Sequence, residues 1–134
     1  MQQIWSVRLI RLASILGVVG VVLGAHMAGA GSYAFLPVHA HILVVGWLSL
    51  FAWGIFYKLF PTRNEKLVAT QGWTAVIGTI GLALGFAFNN LQPFGDAKAI
   101  YLAVYIGGGV ILLLSFILFM VVTFSVKKPL RSEQ

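Results

Sequence analysis

Four long stretches of apolar residues dominate the sequence, at about 9–30, 38–60, 70–91 and 99–126. A helix needs about 20 apolar residues to cross the hydrocarbon core of a bilayer, and each stretch is long enough. Only 9% of the 134 residues are charged, whereas soluble domains carry about a quarter. The pattern predicts one domain, residues 1–134, that is an all-α membrane protein with four transmembrane helices.

Short breaks with turn residues separate the stretches: Pro37, the run from Pro61 to Asn64, and the run from Gln92 to Asp96. Helices joined by such short connections pack as antiparallel neighbours, so we expect an antiparallel bundle. A rival interpretation makes the first stretch a signal peptide that is cleaved near 25–30, which would leave three spans. The stretch is longer than the usual apolar region of a signal peptide, which favours four spans.

The basic residues fall on one side of the predicted bundle. Lys98 alone lies on the other side, beside Asp96. Cytoplasmic loops carry the excess of Lys and Arg, so we expect both termini in the cytoplasm and the chain in the inner (cytoplasmic) membrane. The eight residues on the cytoplasmic side are Arg8, Arg11, Lys58, Arg63, Lys66, Lys127, Lys128 and Arg131.

Composition also excludes several kinds of site. The chain has no cysteine, which rules out disulfides, iron–sulfur clusters and covalently attached c-type haem. The net charge of +6 lies at helix ends and forms no stripe, so no nucleic-acid partner is expected. No charged residue lies deep in a span, which argues against a proton pump or an ion-coupled transporter.

All three histidines fall near the outer ends of the predicted helices. His26 lies near the end of the first helix, and His39 and His41 lie at the start of the second. Residues two apart on a helix point about 200° apart, so His39 and His41 are expected to face opposite sides. Imidazole is a good axial ligand for haem iron, and an apolar cleft between helices suits the macrocycle.

An imidazole within a membrane also needs a hydrogen-bond partner for its second nitrogen. Polar side chains predicted at the same level could provide it. A bis-histidine haem would need a second imidazole, either from His26 of the same chain or from another copy. The candidate hydrogen-bond partners are Tyr33, Asn89, Asn90, Gln92, Tyr101 and Tyr105.

The segment PVHAHILVVGW, which contains His39, His41, Gly46 and Trp47, resembles the His-x-His helix of haem-copper oxidases and nitric oxide reductases. It is also similar to small four-helix proteins related to oxidase subunit I. The resemblance implies that His39 binds a high-spin haem and that His41 binds a low-spin haem. The large family has twelve helices in three arcs of four, which implies that this chain assembles as a trimer.

The chain also departs from that family. The family's copper site needs further histidines on other helices, and the sequence has none. No buried acidic residue is available to deliver protons, which argues against full oxygen reduction with proton pumping, so oxidoreductase activity stays an open question. The resemblance implies a b-type haem protein for electron transfer or for binding NO or O2 near the periplasmic face, with quinol or a cytochrome as possible donor.

Two other functions stay open at this point. In the first, the chain is a haem-free accessory or assembly subunit of a respiratory complex, and its glycine-rich faces dock a larger subunit. In the second, it holds copper or zinc through His26 and His39, with or without His41. The opposite directions predicted for His39 and His41 count against a single shared ion.

Overall fold

The computed structural model describes residues 1–126, and the basic tail residues Lys127, Lys128 and Arg131 lie outside the described part. The described chain forms four long helices, each apolar enough to cross a membrane, which confirms the predicted number of spans. We number the helices in chain order. They are α1 (Gln2–Ala30), α2 (Leu36–Leu59), α3 (Glu65–Leu91) and α4 (Lys98–Phe124).

Consecutive helices run antiparallel, so that one end of the bundle holds the starts of α1 and α3. We call this the basic end, since Arg8, Lys58 and Arg63 lie near it. The opposite end, where α1 ends and α2 begins, carries the histidines and is called the histidine end. Gly31, the residue after α1, lies at this end with a φ of 61°. Its N–H donates a hydrogen bond to the Met27 carbonyl.

Helix α1 begins at Gln2 and not near residue 9, because its first turns pack on the protein. The Gln2 side chain donates to the carbonyls of Tyr57 and Phe60 at 2.8 and 2.7 Å. Its Oε1 atom accepts from the backbone N–H and the hydroxyl of Thr62 at 3.0 and 2.9 Å. These four bonds join the start of α1 to the end of α2, where the carbonyls have no partner within the helix.

Helix α3 also begins earlier than predicted, at Glu65 instead of near residue 70. The Asn64 side chain caps it by accepting a hydrogen bond from the Leu67 N–H at 3.1 Å. An N-cap of this kind satisfies a backbone donor that the helix leaves free. A hydropathy pattern locates only the apolar part of a helix, so the polar first turn was missed.

The close packing of α3 on α4 depends on glycine. A Cβ atom built at Gly78 would lie 2.6 Å from the Leu112 nitrogen, and one built at Gly108 would overlap the backbone of Gly81 and Leu82. Small residues let helix backbones approach closely in lipid, where packing and hydrogen bonds drive association. Gly78, Gly81 and Gly108 therefore serve helix packing.

A buried polar cluster joins three helices at the basic end. The Tyr57 hydroxyl donates to Gln71 Oε1 at 2.6 Å, and Gln71 Nε2 donates to the Ser115 hydroxyl at 3.2 Å. All three side chains are buried. Buried polar groups need such partners, since an unpaired one costs roughly 1–3 kcal/mol. The cluster therefore fixes the rotation of α2 against α3 and α4.

Helix α2 is not regular along its length. Leu36–His41 and Leu50–Leu59 are α-helical, and Ile42–Ser49 between them is a π-helix. We call Ile42–Ser49 the π segment. It begins directly after His41, and its Gly46 packs closely on α1, where a built Cβ atom would lie 2.8 Å from Leu16.

Candidate imidazole site

The His39 ring lies against α1. Its Nδ1 atom is 2.9 Å from the Gly20 carbonyl oxygen, and a Cβ atom built at Gly24 would lie 2.8 Å from His39 Cε1. A carbonyl oxygen can only accept a hydrogen bond, so Nδ1 carries the proton. The ring reaches the α1 backbone because neither Gly20 nor Gly24 has a side chain to block it.

The His41 ring lies on the other side of α2, toward α3. Its Nδ1 atom donates to the Pro37 carbonyl, four residues earlier, at 2.8 Å. The ring packs on Phe86 with centroids 4.9 Å apart, and Phe86 packs on Tyr105 at 4.5 Å. His39 and His41 therefore face different neighbouring helices, as the spacing of two residues predicts.

In His39 and in His41, the hydrogen bond uses Nδ1 and leaves Nε2 available as a metal ligand. When Nδ1 of a neutral imidazole carries the proton, Nε2 holds the lone pair. Within residues 1–126, neither Nε2 atom accepts a hydrogen bond. Histidines that bind metals usually donate their other N–H to a carbonyl or a carboxylate, which fixes the ring and its tautomer. His39 and His41 each have this arrangement.

His26 points away from both of these rings. It is exposed on α1 and lines an open apolar groove of about 400 Å³ together with Val18, Val19, Val22 and Leu23. Because His41 packs toward α3, the structure does not bring His26 and His41 of one chain together. A bis-histidine pair that includes His26 would need a second copy of the chain.

The structure gives both imidazoles backbone partners where the sequence analysis named side chains. Backbone carbonyls take the Nδ1 protons of His39 and His41 in place of any tyrosine or amide. Tyr33 is 74% exposed, and Asn89 is also exposed. These two side chains make no described hydrogen bond to an imidazole. Sequence reasoning favoured side chains because it could not locate an accessible carbonyl on a neighbouring helix.

The remaining predicted partners take part in the packing of the histidine end. Asn90 Nδ2 donates to the Ala34 carbonyl at 3.2 Å. The buried Tyr101 hydroxyl accepts from the Phe94 N–H at 2.7 Å and donates to the Gly95 carbonyl at 3.2 Å, so it holds the loop between α3 and α4. Gln92 ends α3 with a φ of 46°. Tyr105 supports the His41 ring only through Phe86.

The arrangement does not resemble a site for one chelated copper or zinc ion. Among the residues that the structure describes, no three His, Cys, Asp or Glu side chains come together. His39 and His41 contact different helices, so their Nε2 atoms do not converge. Each imidazole can instead act as a single ligand, and one axial ligand with apolar and aromatic surroundings fits haem iron.

Sequence reasoning missed three residues that shape the site: Gly20, Pro37 and Phe86. The Pro37 carbonyl could have been found, since it lies four residues before His41 in the first turn of the helix. Gly20 carries a weaker signal, because four-residue glycine spacing indicates only a close helix contact. Nothing in the sequence pairs Phe86 with His41.

Comparison of the chain with protein-family models, with curated proteins and with solved structures finds no match. The positions of the imidazoles and their hydrogen bonds are therefore the main basis for a functional conclusion. Those positions are set by the contacts of α2 with α1 and α3.

Proposed function

We propose that this protein binds b-type haem in the membrane, with His41 Nε2 as an axial ligand, for electron transfer or for binding a small gas such as NO or O2. The observation that carries the proposal is the 2.8 Å bond from His41 Nδ1 to the Pro37 carbonyl. It fixes the tautomer that leaves Nε2 free to bind iron. Bound haem would supply one-electron redox chemistry and a gas-binding position.

The surroundings of His41 favour haem over a bare metal ion. Phe86 packs on the His41 ring at 4.9 Å with the two planes tilted by 46°, and Tyr105 packs on Phe86 at 4.5 Å, so the imidazole has aromatic surroundings. His39 is anchored in the same way but faces α1, so we propose that it serves a different haem position from His41. The likeness of the His-x-His segment to haem-copper oxidases and nitric oxide reductases supports the same two roles.

The second axial position decides between the two activities. A second imidazole would make a six-coordinate haem, which favours electron transfer, whereas an open position favours gas binding. His26 is exposed on α1, so its imidazole is accessible to haem held by a neighbouring copy. We propose a trimer of twelve helices, in which His26 of one copy completes the haem site of the next. Quinol or a cytochrome is the electron donor in this proposal.

A haem titration tests the proposed ligand. Haemin is added to detergent-purified protein from haem-deficient cells, and the Soret band is followed for wild type, His41→Ala and Asn89→Ala. We expect saturation in the wild type and in Asn89→Ala, and at least a tenfold weaker affinity in His41→Ala, since an axial ligand is lost. Equal affinity in all three proteins would refute the role of His41, and no binding in any would favour a haem-free accessory subunit.

Native mass spectrometry in detergent tests the trimer separately. We expect trimers that carry haem in the wild type and monomers with weaker haem binding when His26 is replaced by Ala. Haem-loaded wild-type monomers would contradict the trimer while leaving the role of His41 intact.

A further inference from the structure

The π segment lies where it can decide which way the two histidines face. It begins at Ile42, the residue after His41, and both flanking parts of α2 are α-helical. We call Leu36–His41 the histidine half of α2 and Leu50–Leu59 its basic half. Long π-helices are rare, and short ones occur frequently at functional sites.

A side-chain hydrogen bond marks the π geometry. The Ser49 hydroxyl donates to the Val44 carbonyl, five residues earlier, at 2.9 Å. In the regular α-helices, Ser14 reaches the Ile10 carbonyl four residues earlier, and Thr123 reaches the Met120 carbonyl three residues earlier. The Ser49 bond therefore fits the wider π turn, where the carbonyl five residues back comes within reach.

Both halves of α2 are held to α1 at fixed faces. In the basic half, a Cβ atom built at Gly54 would lie 2.6 Å from Ile10 Cγ1 and 3.0 Å from the Ser6 carbonyl. The Ser6 hydroxyl donates to the Gly54 carbonyl at 2.8 Å. In the histidine half, His39 bonds the Gly20 carbonyl at 2.9 Å. Each half therefore has one preferred rotation about the helix axis.

An uninterrupted α-helix with the same number of residues would not give both halves their observed faces. Each residue turns an α-helix by about 100°, so the wider π turns change the rotation of the histidine half relative to the basic half. We infer that the π segment is a positioning element, which turns His39 toward α1 and His41 toward α3. The part of this inference that concerns ligand geometry rests on the proposed haem function.

Cysteine cross-linking tests the rotation without any need for haem. The chain has no cysteine of its own, so two engineered pairs report cleanly. Gly24→Cys with His39→Cys reports the histidine half, and Ile10→Cys with Gly54→Cys reports the basic half. Each pair is placed in the full chain, in chains that lack Val44 alone or both Val44 and Leu48, and in a Val44→Ala control. Val44 is 58% exposed, so its deletion removes little packing.

We expect both pairs to cross-link in the full chain and in the Val44→Ala control. With Val44 deleted, a regular α-helix has one residue fewer between the two halves and gives them nearly their present faces, so both pairs should still cross-link. Deletion of both Val44 and Leu48, which is 54% exposed, turns one half by about 100° relative to the other, so only one pair should then cross-link. Loss of a pair in the single deletion, or both pairs cross-linking in the double deletion, would overturn the inference.

Haem affinity, measured in the cysteine-free background, tests the link to function. The double deletion of Val44 and Leu48 should weaken haem binding at least tenfold, while the single Val44 deletion and Val44→Ala should not. Unchanged affinity in a variant whose halves have rotated would overturn the positioning role. If the wild type binds no haem, the proposed function fails, and cross-linking still decides whether the π segment sets the rotation.

Discussion

At the residue scale, the position of the His39 ring depends on the absence of a side chain at two glycines of α1. Gly20 exposes the carbonyl that His39 bonds, and Gly24 leaves room for the ring. Side chains of α2 fill the space that these two glycines leave. Leu43 occupies the position beside Gly20, as His39 does beside Gly24.

Gly24→Ala should therefore destabilise the fold and displace the His39 ring. The added Cβ atom would lie 2.8 Å from His39 Cε1, and loss of one hydrogen bond costs about 1 kcal/mol. Gly29→Ala is the matched control on the same helix, since its Cβ atom would meet nothing within 4 Å. Unfolding of both variants in mixed micelles measures the difference, and equal stability would show that the ring does not need the space.

The residue types of the site could be predicted from the sequence, but their hydrogen bonds could not. Three histidines near the outer ends of predicted helices identified His26, His39 and His41 as candidates. The opposite directions of His39 and His41 followed from helix geometry alone. The acceptors, Gly20 and Pro37, are backbone atoms, and every residue has a carbonyl, so residue type carries no signal for them.

At the element scale, glycine lets the backbones of α3 and α4 come into direct contact. Gly107, Gly108 and Gly109 are consecutive, yet they face different surroundings. A Cβ atom at Gly108 would overlap the backbone of α3, one at Gly109 would lie 3.6 Å from Leu82 Cδ1, and one at Gly107 would meet nothing within 4 Å. Of the three, only Gly108 is needed for the contact between the two backbones.

Gly108→Ala should cost about 1–3 kcal/mol or more, because backbone cannot move aside as a flexible side chain can. Gly107→Ala should leave stability unchanged or raise it slightly, since alanine favours helix over glycine. Unfolding in mixed micelles compares these neighbouring substitutions directly. A similar loss in both variants would mean that helix propensity, and not the contact with α3, sets the effect.

The four helices were predictable because their apolar stretches are long, and the π segment was not. Its sequence, ILVVGWLS, is as apolar as the regular helices around it. What distinguishes it is how each half of α2 packs on α1, through Gly54 on one side and His39 on the other. Contacts between distant parts of the chain are invisible to a local sequence pattern.

At the scale of the whole molecule, the charges predict how the bundle lies in the membrane. Arg8, Arg11, Lys58, Arg63 and Lys66 lie at or near the basic end, and Lys98 begins α4 at the histidine end. The proposed orientation places the basic end in the cytoplasm and the three histidines near the periplasmic face.

Labelling of single cysteines tests that orientation. Ser32→Cys lies in the exposed turn after α1, and Pro61→Cys lies in the exposed loop after α2. An impermeant maleimide added to intact spheroplasts should label Ser32→Cys and should label Pro61→Cys only after lysis. The reverse pattern would place the histidines on the cytoplasmic face and would contradict the proposed orientation.

The central claim is that His41 binds haem in the protein as cells make it. The absorption spectrum of detergent-purified protein from haem-replete cells, oxidised and then reduced with dithionite, tests this most directly. We predict a Soret band with sharp reduced α and β bands in the wild type and in Asn89→Ala, and their loss in His41→Ala. A colourless wild type, or an unchanged spectrum in His41→Ala, would contradict the account.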